Sequence, residues 1–395
     1  MNNYPAADAG HRSHMHHVPK VIFGFLRKNT VLVIAALLAL VTSFIIPPDR
    51  EYISYFDFRT LCCLFCTLAV ICALKNIRFF TVIARRLVSL TGNMRSAVLA
   101  LVYITFIGSM LIANDMALLT FLPLGYIMLE STGKQRYMAF TFIMQNIAAN
   151  LGGMLTPFGN PQNLYLYSRF NIPTGHFMAI MSVPFAAAVI IITVCCLFVR
   201  PEAVSLCDNT DMSLPRGRTV MYLALFAYSI LIVFRIVPYW TGLVVIPAVL
   251  LFADRRALAI VDYPLLCTFA CFFIFAGNMS RIPAVSELLS GLLERNTLLV
   301  STLSCQFISN VPSAILLSRF TANYQELLVG VNIGGTGTLI ASLASLITFR
   351  EYTSHNPGKT WRYILLFSAL NFGFLIILYA ICVLYLQVIP IPWLN

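Results

Sequence analysis

Long apolar runs separated by short polar loops occupy most of this 395-residue chain. A helix that crosses a bilayer needs about 20 mainly apolar residues, because each residue adds only about 1.5 Å of length. The pattern therefore indicates an all-α polytopic membrane protein. We predict about nine full spans, at residues 30–46, 53–74, 137–168, 176–199, 218–236, 239–253, 262–280, 325–349 and 361–388.

Two further apolar runs are interrupted by polar residues. Residues 96–129 contain Asn114-Asp115, and residues 297–320 contain Asn310-Val311-Pro312. The second run is too short to cross the bilayer twice. We predict that both runs form re-entrant helical hairpins, which enter and leave the membrane on the same side.

Two of the predicted spans contain residues that break a membrane helix. Residues 145–163 carry Gly, Pro and amide side chains, and a weaker copy at 334–346 aligns without gaps with 152–164. Hydrocarbon offers no hydrogen-bond partners, so such backbone persists only inside protein or beside a water-filled cavity. Paired interruptions in two halves of a chain are typical of a transporter's binding site. The alternative is a Pro-kinked helix that binds nothing, which two copies at matching places disfavour.

Composition and charge agree with this layout. The chain is 59% hydrophobic and 10% charged, with a mean hydropathy of +0.84 and a net charge of +11. Its basic residues are spread over short loops rather than gathered on one face, so nucleic acid is not an expected partner. With the N-terminus in the cytoplasm and both hairpins non-crossing, 19 of the 26 Lys and Arg are cytoplasmic, as the positive-inside rule requires. The seven outer ones are Arg50, Arg59, Arg169, Arg235, Arg281, Arg295 and Arg319.

The same layout divides the chain into two inverted halves. Each half is predicted to contain two spans, an amphipathic connector (78–94; 281–295), a hairpin, a broken helix (137–168; 325–349) and a closing span. Five crossings separate the hairpins, which places them on opposite sides of the membrane. The predicted units are a cytoplasmic tail (1–29), the first repeat (30–199), a cytoplasmic loop (200–217), a linking span (218–236), the second repeat (237–388) and an outer C-terminal tail (389–395).

The candidate chemistry lies at the hairpin tips and the helix breaks. Half-helix N-termini favour an anion, whereas unwound carbonyls and half-helix C-termini favour a cation such as sodium. The residues expected to bind substrate are Asn114, Asn160, Pro161, Asn163, Ser309, Asn310, Ser342 and Ser345. Those expected to bind the coupling cation are Asn114, Asp115, Thr156, Gly159, Asn310 and Thr338.

Each of these assignments has a structural alternative. Asp115 is the one acidic residue well inside an apolar run, where an unpaired charge costs at least ~2.5–3.5 kcal/mol, so carriage of sodium or a proton is the first hypothesis. Its alternative is a cap on the returning hairpin arm. Helix capping is also the alternative for Asn114, Asn160, Asn163 and Asn310. The structural alternative for the hydroxyl residues is a hydrogen bond from the hydroxyl to a carbonyl of the same helix; these residues are Thr156, Thr338, Ser342 and Ser345.

The remaining motifs are interpreted as structural. The 11 cysteines lie mostly in apolar runs and are expected to be free thiols. The CxxC of Cys63 and Cys66 lacks the second pair or nearby His that a metal site needs. Phe158 is expected to pack, and Asp57 and Arg59 to pair with each other.

Four motifs resemble the ion transporter superfamily, which includes divalent anion:sodium symporters, arsenite permeases, citrate transporters and some sodium/proton antiporters. Ser309-Asn310-Val311 resembles the symporters' Ser-Asn-Thr tip, with Val in place of Thr, and Ala113-Asn114-Asp115 resembles the permeases' Asn-Asp tip. Residues 156–163 resemble the Gly-x-Pro-x-Asn loop, and 338–342 its counterpart in the second repeat. The resemblance covers most of residues 50–388. It implies a homodimer and an elevator mechanism, in which the hairpins and broken helices slide against a scaffold of the remaining spans.

We therefore predict a secondary active transporter of the inner or plasma membrane, not an enzyme. Its substrate would be a small carboxylate or inorganic oxyanion coupled to sodium or protons; no cofactor is expected, and the candidate bound ion is sodium. One rival is a sodium/proton antiporter without an organic substrate. A channel is a further rival, and it predicts unitary currents rather than saturable flux. An intramembrane enzyme is disfavoured because the sequence has no HExxH or GxSxG motif.

Overall fold

The computed structural model describes residues 29–203 and 213–388. The predicted C-terminal tail, residues 1–28, and residues 204–212 with Cys207 lie outside the described residues. The described chain is helical apart from loops and one isolated β-bridge between Asn93 and Ala203. Its α-helices are α1 (Thr30–Ile45), α2 (Tyr52–Tyr55), α3 (Phe58–Asn76), α4 (Phe79–Ser89), α5 (Met94–Ile112), α6 (Asn114–Ser131), α7 (Met138–Gly152), α8 (Pro161–Arg169), α9 (Thr174–Leu197), α10 (Arg216–Val233), α11 (Tyr239–Ala253), α12 (Arg255–Ala259), α13 (Tyr263–Ser280), α14 (Pro283–Ile308), α15 (Asn310–Leu317), α16 (Tyr324–Ile333), α17 (Leu343–His355) and α18 (Thr360–Val388).

Several of these helices can cross a membrane by length and composition. Within the described residues six qualify, namely α3, α5, α9, α10, α13 and α18. The helices α1 and α11 are apolar but have only 16 and 15 residues. The predicted spans 137–168 and 325–349 are each interrupted, so neither forms one long helix. The prediction of an all-helical polytopic membrane protein is confirmed, and the count of nine full spans stays a prediction.

The second predicted span begins later than expected. A separate turn of helix, α2, precedes Asp57, and α3 starts at Phe58. The Asp57 carboxylate accepts hydrogen bonds from the Thr60 N–H (3.0 Å) and the Thr60 hydroxyl (2.8 Å), as an N-cap residue does. It also accepts one from the Ser168 hydroxyl (3.1 Å), while the Arg59 guanidinium lies 5.9 Å from the Tyr239 ring centre. The expected Asp57–Arg59 pair is therefore wrong.

Both interrupted apolar runs contain a sharp junction between two helices. Ala113 joins α5 to α6 with φ 62° and ψ 152°, and Ser309 joins α14 to α15 with φ 72° and ψ 159°. Positive φ is uncommon for residues other than glycine, so the recurrence of one unusual conformation at both predicted tips is informative. The long helix α14 is also kinked at Asn296, which separates the predicted connector from the arm that begins at Thr297.

Both predicted broken helices are interrupted at the expected positions. In the first, α7 ends at Gly152, a 3₁₀ turn covers Gly153–Leu155, and α8 begins at Pro161. In the second, α16 ends at Ile333 and α17 begins at Leu343. A continuous helix that is merely kinked is therefore excluded in both places.

The helices pack into two groups. In the first group α1 packs against α13, and α3 packs against α10, α11 and α12. In the second group α5, α6 and α7 pack together, as do α14, α15 and α16. The closing helices α9 and α18 join this second group, because they pack against each other and against α7 and α16. The main contacts between the groups are α3 with α8 and α13 with α15.

Candidate functional site

The two helix junctions have matching hydrogen bonds. After Ala113, the Asn114 Oδ1 accepts a hydrogen bond from the Asp115 N–H over 3.0 Å. After Ser309, the Asn310 Oδ1 accepts one from the Val311 N–H over 2.9 Å. Both asparagines are buried. Each one therefore satisfies a free amide at the start of a helix, which is the capping role weighed as an alternative.

A second pair of hydrogen bonds also recurs. The Thr156 hydroxyl donates to the Met110 carbonyl over 3.2 Å, and the Thr338 hydroxyl donates to the Gln306 carbonyl over 3.0 Å. Met110 and Gln306 each lie three residues before a junction, and the two threonines correspond in the sequence repeat. Both hydroxyls bond to another helix, so the same-helix alternative is wrong for these two threonines.

Buried side chains connect the first junction to both interrupted helices. The Asn114 Nδ2 donates to the Asn150 Oδ1 over 3.2 Å, and the Asn150 Nδ2 donates to the Asn146 carbonyl over 3.2 Å. The Asn146 Nδ2 then donates to the Ser345 hydroxyl over 3.3 Å. This path runs from the start of α6 through α7 to the start of α17.

A second path joins α8 to α16. The Asn160 Nδ2 donates to the Asn150 carbonyl (3.3 Å) and to the Asn332 Oδ1 (3.5 Å). The Asn332 Nδ2 donates to the Asn163 Oδ1 over 2.6 Å, and the Asn163 Nδ2 donates to the Gly153 carbonyl over 3.1 Å. The two interrupted helices are therefore bonded directly to each other at their breaks. Asn163 holds loop carbonyls rather than capping a helix.

The half-helices after the breaks begin in the same way. Asn160 before α8 and Ser342 before α17 are both extended, with φ of −134° and −148°. The Ser342 hydroxyl accepts a hydrogen bond from the Ser345 N–H over 3.3 Å, so Ser342 is a cap. The Asn160 side chain makes no cap bond. Pro161 is the first residue of α8, where its lack of an N–H costs nothing.

Close backbone approach requires glycine at the first break. A Cβ on Gly153 would lie 2.4 Å from the Asn160 Oδ1, and a Cβ on Gly159 would lie 2.3 Å from the Gly153 carbonyl oxygen. Both distances are shorter than real Cβ contacts. Gly159 therefore has a packing role in addition to any role of its carbonyl.

Several polar atoms at the junctions and at the first break have no protein partner within residues 29–203 and 213–388, and the Gln162 Oε1 is one of them. The Asp115 Oδ1 and the Asn160 Oδ1 are buried and accept no hydrogen bond. The Asn310 Nδ2 donates none, and it lies 3.1 Å from the position of a Cβ built on Gly335. The Asp115 side chain caps no helix, so the capping alternative for Asp115 is wrong.

The structure adds polar residues that the sequence analysis did not select. Gln306 donates to the Gly334 carbonyl (2.9 Å) and accepts from the Thr338 N–H (2.9 Å), and Asn371 of α18 accepts from Asn146 over 3.5 Å. Asn150 and Asn332 each lie two residues before the first aligned pair of the repeat, Gly152 and Gly334, so they occupy corresponding positions. Extending the alignment by those two residues would have found them. Gln306 and Asn371 have no such signal in the sequence.

The described cysteines form no disulfide. The ten described cysteines are free thiols, as expected. In the part of the chain that the structure describes, no group of three His, Cys, Asp or Glu lies close enough to hold a metal ion. Phe158 packs edge-on against Phe234, with 5.8 Å between ring centres, which agrees with its expected packing role.

These observations define a helical integral membrane protein in which a cluster of buried amide side chains lies at two interrupted helices. The chain belongs to the citrate transporter family, whose sequence model matches residues 21–327. It is thus a membrane transporter, and the predicted family resemblance is confirmed.

Two relatives agree with this membership. The chain is 30% identical to an uncharacterized transporter of Methanocaldococcus jannaschii over 325 residues, which cover 82% of this chain and 89% of the relative. It is 29% identical to the inner membrane protein YbiR of Escherichia coli over 290 residues, covering 72% of this chain and 76% of the relative.

Proposed function

We propose that the protein is a secondary active transporter that moves a small anion, a carboxylate or an inorganic oxyanion, coupled to sodium or protons. The observation that carries the proposal is the direct bond between the two helix breaks through Asn332 and Asn163. Irregular backbone is stable at membrane depth only inside protein or beside a polar cavity. Two such breaks, joined to each other, are where a transporter binds its substrate.

The two halves are proposed to be an inverted repeat with two re-entrant hairpins. The matched conformations of Ala113 and Ser309, and the matched hydroxyl bonds of Thr156 and Thr338, support a structural repeat. The distribution of Lys and Arg supports the inversion. In the second hairpin the arm from Thr297 to Ile308 is about 18 Å long at 1.5 Å per residue, which is too short for a full crossing.

An anion is the proposed substrate because four helices begin at the junctions and breaks. The helices α6, α8, α15 and α17 each present the positive end of a helix dipole there. The Asn310 Nδ2 adds a donor that no described protein atom uses. The substrate would lie between Asn310 and the starts of α8 and α17, where Ser345 also lies.

Sodium or a proton is the proposed coupling ion. The Asp115 Oδ1 and the Asn160 Oδ1 are buried oxygens without a protein donor, and such oxygens are suitable ligands for a hard cation. The predicted cation residues Thr156 and Thr338 use their hydroxyl hydrogens in bonds to Met110 and Gln306, so each hydroxyl oxygen still has a lone pair for an ion.

An elevator mechanism is proposed, with the second helix group as the moving body. In the helix contacts, α9 and α18 pack with the interrupted helices, whereas α1, α3 and α10–α13 pack with one another. The moving body would therefore include both closing helices in addition to the hairpins and broken helices. The first group would form the scaffold, and a homodimer is proposed to form through it.

The proposed location is the inner or plasma membrane, with the N-terminus in the cytoplasm and the C-terminus outside. The charge distribution supports this orientation, and the Escherichia coli relative is named an inner membrane protein.

The second candidate function is sodium/proton antiport without an organic substrate. Asp115 favours it, because a half-buried carboxylate whose Oδ1 is buried and unpaired can exchange a proton for sodium.

Flux in proteoliposomes separates the two candidates. The purified full chain would be tested for counterflow of radiolabelled citrate, succinate, sulfate and phosphate, with and without gradients of sodium and of pH. A preceding thermal-shift screen of these anions, with and without sodium, selects the probe. Saturable anion uptake driven by either gradient is the expected result. Strict sodium/proton exchange with no anion uptake would establish the antiporter instead.

A further inference from the structure

A cavity of about 320 Å³ lies away from the helix breaks, between the loop before α7 and the end of α9. Its lining residues are Arg136, Tyr137, Phe198 and Arg200. Three of these four side chains carry hydrogen-bond donors, and two of them are permanently charged. No part of the proposed transport mechanism uses this cavity.

The carboxylate of Glu202 fixes the walls of the cavity. It accepts hydrogen bonds from the Lys134 ammonium (2.6 Å) and the Tyr137 hydroxyl (2.8 Å), and it also pairs with Arg136. The Glu202 carbonyl accepts a hydrogen bond from the Met94 N–H over 2.8 Å, which attaches the segment to the start of α5. The cavity is therefore held by three chain segments and does not depend on one loose loop.

Among the described residues at the cavity, positive charge exceeds negative charge. Lys134 and Arg136 share the single carboxylate of Glu202. The exposed guanidinium of Arg200 has no hydrogen-bond or ion-pair partner within the described ranges. Two guanidinium groups at one cavity suit a phosphate, because the planar guanidinium bonds two phosphate oxygens at once.

An exposed apolar stripe on α9 leads to the cavity. Ile190, Val194, Leu197 and Phe198 follow the spacing i, i+4, i+7 and i+8, which places them on one face of the helix. All four are exposed, and Phe198 is 83% exposed. In a membrane this stripe faces lipid. An acyl chain that lies along it would bring its headgroup to Arg136 and Arg200.

We propose that this cavity binds the phosphate headgroup of an anionic phospholipid whose acyl chain lies along the α9 stripe. Basic pockets between membrane helices bind such headgroups. The proposed topology places the site at the cytoplasmic leaflet. Because α5, α7 and α9 belong to the second helix group, the bound lipid would travel with that group.

Native mass spectrometry of the full-length protein tests the proposal. Phosphatidylglycerol and phosphatidylcholine with the same acyl chains would be compared for retention by the wild-type protein and its variants. The wild type is expected to retain phosphatidylglycerol preferentially. Arg200→Gln is expected to weaken that retention about fivefold, since one basic residue near a membrane surface contributes about that factor. Arg200→Lys keeps the charge and should retain most of the binding.

Two further variants make the test decisive. Arg256→Gln, an exposed arginine in α12 of the other helix group, should leave lipid retention unchanged. Phe198→Ser interrupts the stripe and should weaken retention of phosphatidylglycerol without weakening binding of inorganic phosphate. The exposed Arg200 guanidinium bonds to no other residue within 29–203 and 213–388, so its replacement is expected to leave the fold intact.

The proposal is overturned if the wild type retains both lipids equally, or if Arg200→Gln retains phosphatidylglycerol as the wild type does. A free-anion site replaces it if Phe198→Ser leaves lipid retention unchanged and Arg200→Gln weakens the binding of inorganic phosphate as much as it weakens the retention of phosphatidylglycerol.

Discussion

The Asn332 Nδ2 donates a hydrogen bond to the Asn163 Oδ1 over 2.6 Å, joining two interrupted helices that lie 169 residues apart in the chain. Both side chains are almost fully buried. A buried amide is stable only when its hydrogen bonds are satisfied, so this contact fixes how the two breaks approach each other. It is the shortest of the amide contacts that connect the two halves of the site.

Asn332→Ala is expected to lower the free energy of unfolding by about 1–3 kcal/mol, because the buried Asn163 Oδ1 loses its donor. Unfolding in mixed micelles measures the effect. The double variant with Asn163→Ala should cost less than the sum of the two single variants. Asn356→Ala, at the end of α17 and outside this network, is the control. Additive losses would mean that the contact contributes nothing of its own.

Asp115→Asn is expected to abolish coupling to sodium or protons while the protein remains folded, because the charge is lost but the side-chain volume is kept. The measurement is the dependence of flux in proteoliposomes on sodium and on pH. Glu287→Gln, an exposed acid on the connector part of α14, is the control. Unchanged sodium and pH dependence in Asp115→Asn removes Asp115 from the site.

Gly153→Ala is expected to destabilise the protein by about 1–3 kcal/mol and to reduce flux, because its Cβ would lie 2.4 Å from the Asn160 Oδ1. The matched control is Gly373→Ala in α18, where a Cβ meets nothing within 4 Å. That change should be neutral or stabilising, since alanine favours a helix more than glycine does. Equal effects of the two substitutions on unfolding would contradict the close approach at the break.

Thr156→Val and Thr338→Val should each cost about 1 kcal/mol, because each removes one hydrogen bond to a carbonyl three residues before a helix junction. Similar losses are the expected result, since the two bonds occupy matching positions. Unfolding experiments and flux assays on both variants check this. A loss in one variant and none in the other would argue against equivalent roles in the two halves.

Cross-linking across the two helix groups should stop transport. Asp57 of the first group accepts a hydrogen bond from Ser168 of α8 in the second group, so cysteines at these positions are close enough for a short bifunctional reagent. The control pair is Ser304 and Ser313, whose hydroxyl oxygens are 2.9 Å apart within the second group. Both pairs would be made with Cys62 and Cys267 replaced by Ser. Full flux after cross-linking Asp57→Cys to Ser168→Cys would rule out relative movement of the groups.

The sequence by itself determined that this is an all-helical membrane protein and where its helices break. Apolar run length sets which segments can lie in lipid, and Gly153 and Pro161 disfavour a continuous helix there, so both properties are local. The correspondence of Asn160 with Ser342 was also visible, because a repeat preserves spacing along the chain.

Only the tertiary structure decided which polar groups meet. The bonds from Asn114 to Asn150, from Gln306 to Thr338 and from Asn146 to Ser345 join residues that are far apart in sequence. It also showed that Asp115 caps no helix and that α9 and α18 pack with the interrupted helices. Such contacts depend on how helices pack side by side, and the apolar pattern of a membrane helix does not specify its neighbours, because lipid and protein surroundings favour the same residues.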